Sequence, residues 1–138
     1  MTDTLVDTNV LLDVVALDPV WREWSRGRIA EAADEGRLVL NQVIYSELAA
    51  GYRDREDLDE MLSVHPFSRE GVPWDAAFMA GVAFMDYRRR GGVRSTPLPD
   101  FFIGAHAAVR GYRLLTRDRG YYSSYFPTLD IVSPDRAP

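Results

Sequence analysis

The chain has no cysteine, no lysine and only two histidines, His65 and His106, in 138 residues. Without cysteine there is no disulfide, no thiolate metal site and no cysteine nucleophile. All 16 basic residues are arginine, which removes a Schiff-base lysine, a Walker lysine and any lysine general base. Two histidines do not supply a zinc site of ordinary composition. No apolar run reaches the length of a membrane span, and Met1-Thr2-Asp3-Thr4 lacks the basic and apolar regions of a secretory signal. A soluble, cytoplasmic protein is therefore expected. No glycine-rich loop follows the first apolar run, which argues against a nucleotide-binding Rossmann protein.

What is present suits one domain over residues 1–138, since 46% apolar residues are enough for a single core. The net charge of −5 hides an asymmetry: residues 1–75 hold 16 acids and 7 bases, while residues 76–138 hold 5 acids and 9 bases. The basic half contains Arg88-Arg89-Arg90, Arg94, Arg110, Arg113, Arg117 and Arg119. If several of these share a face they can track a phosphate backbone; singly, each reads as a solvated helix end or loop residue.

Apolar runs alternate between strand-like and helical spacing. Leu5 to Asp7 reads as a strand that runs directly into a helix through Val15. Asp18-Pro19 reads as a helix start, with the end near Gly36. Leu38 to Leu40 is a second strand, Gln42 to Ala50 a helix, Asp54 to Leu62 a helix with one wet face, and Val64 to Phe67 a short strand. Pro73 opens a long helix to about Arg90, and Ser95 to Pro99 forms a rigid loop into the helix Asp100 to Arg110. Tyr112 to Thr116 and Leu129 to Val132 are the last strands. Alternation of this kind predicts an α/β fold with a mostly parallel sheet covered on both faces. Ligands of such sheets bind beyond the carboxyl ends of the strands.

Four carboxylates fall where that topology would gather them: Asp7, Glu47, Asp100 and Asp118. Asp7 closes the first strand and serves either as a helix N-cap or as a ligand; Thr8 and Asn9 beside it also cap well. Glu47 shares a helical stripe with Val43 and Ala50, where an ionised acid needs a salt bridge, hydrogen bonds or a metal. Asp100 begins a stripe of Ile103, Gly104, Ala107 and Ala108, and reads either as a dipole-complementing acid or as a buried functional one. Asp118 follows the strand ending at Thr116 and also suits a turn. Asn9 and Thr116 can orient carboxylates or cap helices. The two histidines read as packed or surface residues. Tyr121, Tyr122, Tyr125 and Phe126 either stack on bases or seal the core beneath a C-terminal loop. Four converging acids carry too much negative charge to stand alone, so they imply Mg²⁺ or Mn²⁺ and hence phosphodiester chemistry.

The ordered set Leu5-Val6-Asp7-Thr8-Asn9-Val10-Leu11-Leu12, Ser46-Glu47-Leu48, Pro99-Asp100-Phe101-Phe102-Ile103-Gly104-Ala105-His106-Ala107 and Leu114-Leu115-Thr116-Arg117-Asp118 resembles PIN-domain ribonucleases. The likeness is greatest to VapC toxins of VapBC toxin–antitoxin modules. The resemblance implies a single PIN domain over residues 1–138, an α/β/α sandwich around a parallel sheet, with Asp7, Glu47, Asp100 and Asp118 as the acidic site and Asn9 and Thr116 as its polar neighbours. It also implies a homodimer and a cognate VapB-type antitoxin that covers the site. Many members carry another acid two residues after the last, where this chain has Gly120, which puts full occupancy of a second metal position in question.

The expected activity is endonucleolytic RNA cleavage with Mg²⁺ or Mn²⁺. Asp7, Asp100 and Asp118 are the expected metal ligands, Glu47 a ligand through water or an orienting group for the nucleophile, and Arg94, Arg117 and Arg119 the expected RNA contacts. The alternatives are a PIN nuclease that is not a toxin, a non-catalytic protein-binding module on the same fold, and a phosphatase of the haloacid dehalogenase type. The last needs an Asp where this chain has Asn9.

Overall fold

In the computed structural model, residues 1–93 and 98–134 are described. They form β1 (Thr4–Val6), α1 (Thr8–Val15), α2 (Arg22–Glu35), β2 (Leu38–Leu40), α3 (Gln42–Ala49), α4 (Arg55–Leu62), β3 (Phe67–Arg69), α5 (Trp74–Arg89), α6 (Leu98–Arg110), β4 (Arg113–Leu115), α7 (Arg119–Tyr125) and β5 (Ile131–Val132). The strands make one parallel sheet in the order β3-β2-β1-β4-β5, and helices flank it as an α/β/α sandwich. Among the described residues no helix is long and apolar enough to cross a membrane.

The central strands are apolar at nearly every position because helices cover both faces, the pattern a parallel sheet demands. Leu5, Val6, Leu38, Val39, Leu40, Leu114 and Leu115 are all buried. Val6 pairs with Leu115, so β1 and β4 end level with each other. From β1 the chain moves to β2 on one side, whereas β4 lies on the other. The carboxyl ends of β1 and β4 are therefore the point where the strand order reverses, the edge at which open α/β sheets bind ligands.

Several boundaries differ from expectation for identifiable reasons. Asp18 does cap, accepting from Val20 N at 2.9 Å and Trp21 N at 2.8 Å, but it caps a turn that precedes α2. β3 lies at Phe67–Arg69 rather than Val64–Phe67, and α6 begins at Leu98. The largest difference is α7, where a loop was expected. Its Tyr122 and Phe126 are buried against α6. Gly104 permits that contact: a Cβ there would lie 2.5 Å from Phe126 Cε2 and 2.9 Å from Tyr122 Cδ1.

Candidate active site

Asp7 stands at the end of β1 and caps α1, accepting from Thr8 N at 2.7 Å. Capping is only part of its role. Its second oxygen, Oδ2, accepts from Thr116 Oγ1 at 2.8 Å, Tyr122 Oη at 3.0 Å and Asn9 Nδ2 at 3.3 Å. The side chains therefore tie the end of β1 to the end of β4 and to α7. Asn9 also donates to Thr116 Oγ1 at 3.4 Å and accepts from Arg117 N at 3.2 Å, and Thr116 Oγ1 accepts from Asp118 N at 3.1 Å. Asn9 and Thr116 thus orient Asp7 and brace the strand end that carries Asp118.

Burial pushes the Asp7 carboxyl above the ordinary range, although the bonds from Thr116, Tyr122 and Thr8 oppose the rise; the charge of Glu47 adds to it. The buried Tyr122 hydroxyl is pushed far up, first by burial and then by the charges of Asp7, Asp100 and Asp118. It is therefore a neutral donor. Three acids therefore lie near enough for their charges to be felt at this one hydroxyl, and the charge of Glu47 is felt at Asp7.

Glu47 corrects the expectation of an acid buried among apolar neighbours. It is exposed, because the buried face of α3 is the adjoining stripe of Ile44 and Leu48. Its Oε1 accepts from Thr8 Oγ1 at 2.7 Å, which draws the carboxylate to the start of α1, where the helix dipole favours a negative charge. Asp100 lies in the first turn of α6 and is half-buried.

The arginines are placed less as expected. Arg117 Nε stands 3.0 Å from Asp13 Oδ2, a carboxylate only 3% exposed, and its guanidinium lies over the Trp21 ring at 5.0 Å. That N–H is not aimed at the carboxylate, so the attraction is Coulombic rather than a hydrogen bond. Ser25 Oγ supplies the hydrogen bond to Asp13 at 2.6 Å. Arg119 donates to Ser133 Oγ at 2.8 Å and to the Ile131 carbonyl at 2.6 Å, tying α7 to β5. Both side chains, expected on RNA, make these contacts within the chain. Arg94 lies outside the described residues.

A family model for the PIN domain matches residues 4–126. The chain belongs to the PIN-domain family. Solved structures similar to this PIN domain include VapBC2 from Rickettsia felis bound to a DNA fragment from its promoter, at 17% identity, 97% coverage of this chain, 100% of that chain and a TM-score of 0.75. DNA-bound VapBC from Salmonella typhimurium matches at 20% identity over 96% and 98% of the two chains, with a TM-score of 0.71. VapBC-1 from nontypeable Haemophilus influenzae matches at 19% identity over 96% and 98%, with a TM-score of 0.70. At these identities the likeness establishes the fold. No curated protein matches the chain.

The donor chemistry of the PIN domain's site suits a hard divalent cation. The candidate ligands are carboxylate oxygens, and among the described residues no arginine forms an ion pair with Asp7 or Glu47. The expected tight cage is not preformed: among the described residues no three acidic or histidine side chains stand together as a metal-binding group. Like charges of this kind repel when no cation lies between them.

Two features escaped the sequence reading. Tyr122 was grouped with aromatics that stack or seal, whereas its ring seals and its hydroxyl holds Asp7. The spacing of Tyr122 and Phe126, four residues apart, was the available signal for a helix. His106 is fully buried, not merely packed: Asn41 Nδ2 lies 3.0 Å from its Nδ1 and Glu70 Oε1 lies 3.2 Å from its Nε2. If Asn41 donates to Nδ1, then Nε2 carries the proton and donates to Glu70. This link fastens α6, and with it Asp100, to the ends of β2 and β3.

Proposed function

We propose that this PIN domain is the toxin of a VapBC-type toxin–antitoxin module, a metal-dependent endoribonuclease that works as a homodimer and is held inactive by a VapB-type antitoxin. The observation that carries the reading is the Asp7 carboxylate at the sheet's switch point, held by Thr116, Tyr122, Asn9 and the Thr8 amide, with the charges of Asp100 and Asp118 also felt at the Tyr122 hydroxyl. The family membership supports nuclease chemistry, and the fold likeness to VapBC complexes supports the toxin role.

A bound Mg²⁺ or Mn²⁺ would supply charge neutralisation at the scissile phosphate and a more acidic water. Asp7, Asp100 and Asp118 would hold it. Thr116, Tyr122, Asn9 and the Thr8 amide fix the Asp7 carboxylate in one orientation, so little rearrangement is needed to present it. Glu47 has one oxygen occupied by Thr8 and uses the other to orient the attacking water. Hydrolysis adds the water oxygen to phosphorus, breaks one P–O ester bond and delivers a proton to the departing oxygen. Arg90 contacts the RNA backbone. It lies over Tyr125 at 5.6 Å, and that ring packs on Phe101, next to Asp100. Its pair with Asp86 is exposed and so exchanges readily for a phosphate.

The test is cleavage of an end-labelled structured-RNA pool by purified protein with Mg²⁺ or Mn²⁺, against a chelated control. Discrete cuts that need metal support the reading. A second reading, a non-catalytic binding module on the same fold, gains if neither cutting nor metal binding is found.

A further inference from the structure

Arg117 stands in the sequence between Thr116, which holds Asp7, and Asp118. Its main chain is pinned there, with its N–H donated to Asn9 Oδ1 at 3.2 Å. Without a metal the candidate carboxylates repel one another, and a guanidinium is a planar fork that pairs readily with carboxylates. An arginine so placed is expected to turn onto those acids. Its side chain turns instead to Asp13, which lies six residues and roughly 9 Å beyond Asp7 along α1.

The far end is built to receive one cation. Ser25 Oγ, itself fully buried, donates to Asp13 Oδ2 at 2.6 Å, and the Trp21 ring covers the guanidinium at 5.0 Å. Trp21 is fixed in turn. Asp18 accepts from its N–H at 2.8 Å and donates its own N–H to the Asp13 carbonyl at 2.9 Å. Burial raises the Asp13 carboxyl, and the Ser25 hydroxyl and the charge of Arg117 oppose the rise. A buried carboxylate is costly without a counter-charge, yet Asp13, Ser25 and Trp21 have no part in the mechanism above.

We infer that Asp13 is a positioning residue: with Ser25 and Trp21 it holds the Arg117 guanidinium off the acidic site, so that Asp7 and Asp118 keep their charge for a divalent cation. Asp13 touches neither metal nor RNA. It acts through Arg117, by denying the acids a counter-ion from within the chain. The inference rests on the metal site of the functional reading above.

The test is calorimetric titration of Mn²⁺ into wild type, Asp13→Asn and the double variant Asp13→Asn/Arg117→Gln, each checked for folding by circular dichroism. Asparagine still accepts from Ser25, so the single variant should fold, with its arginine released to compete with the cation. An opposite charge at close range shifts a carboxylate's pKa by about one to three units, so Mn²⁺ binding should weaken roughly tenfold or more. The double variant loses the buried charge together with its partner. It should therefore recover wild-type affinity to within about twofold, whereas a brace that only held the loop would be lost in both variants alike. Trp21→Leu, which uncovers the guanidinium and leaves both charges in place, should weaken binding in the same direction as Asp13→Asn. RNA cleavage by Asp13→Asn should return at saturating Mn²⁺. Unchanged affinity in Asp13→Asn, or weak binding that persists in the folded double variant, overturns the inference and leaves the metal site standing. Absence of binding by wild type removes the metal site and the inference with it.

Discussion

Replacing Tyr122 by Phe removes one hydroxyl and keeps the ring that packs on Gly104 beside Phe126. The hydroxyl donates to Asp7 Oδ2 at 3.0 Å, and both groups are almost wholly buried. With both groups buried, the cost is that of a hydrogen bond to a charged group, about 1.5–3 kcal/mol. The size of the loss depends on pH. With Asp7 ionised the bond is charge-assisted and the loss is at its largest. With Asp7 protonated the bond is between neutral groups and the loss falls to about 1 kcal/mol. Urea unfolding of wild type and variant without metal, at pH 8 and in the mildly acidic range, should show a larger deficit at pH 8. Equal deficits at both pH values, or a deficit below about 0.5 kcal/mol at pH 8, would mean that the hydroxyl does not hold an ionised Asp7.

Asp100→Asn should abolish metal-dependent cleavage while leaving the metal-free fold intact or slightly more stable, because it removes one of several repelling charges; loss of folding in circular dichroism would make Asp100 structural. Arg117→Ala strands the buried Asp13 carboxylate and should cost about 2–3 kcal/mol, whereas Arg90→Ala should leave stability nearly unchanged and raise KM for RNA; the reverse assignment would follow if Arg117→Ala changed KM alone. Because burial raises the Asp7 pKa in the folded state, its contribution to metal-free stability is full below the unfolded carboxyl value of about 3.9 and is lost as pH rises through the higher folded value. Thermal melts should therefore show that Mn²⁺ stabilises more at pH 8 than at pH 5.

The edge of the sheet that carries the site was legible because β1, β2 and β4 are short runs of Leu and Val closed by a polar residue. Burial on both faces leaves little other interpretation. Helix α7 was hidden because Gly120, Tyr121, Tyr122, Ser123 and Ser124 are weak helix formers. The packing of Tyr122 and Phe126 on α6 supplies what local propensity does not. The exposure of Glu47 was misjudged because two helical stripes run side by side on α3 and only Ile44 and Leu48 belong to the core. Arg117 was read as an RNA contact because nothing local connects it to Asp13, more than a hundred positions earlier. Acids at strand ends announce themselves in sequence, whereas the partner that neutralises an arginine is a product of the fold.

The most direct test of the central claim is calorimetric titration of Mn²⁺ into the purified chain and into Asp100→Asn at pH 8. Four electrostatically linked carboxylates predict saturable binding by the wild type, weakened at least tenfold in the variant, with a matching loss of thermal stabilisation. Absence of binding by a folded wild type, or equal binding by both proteins, would contradict a metal centre built on Asp7, Asp100 and Asp118.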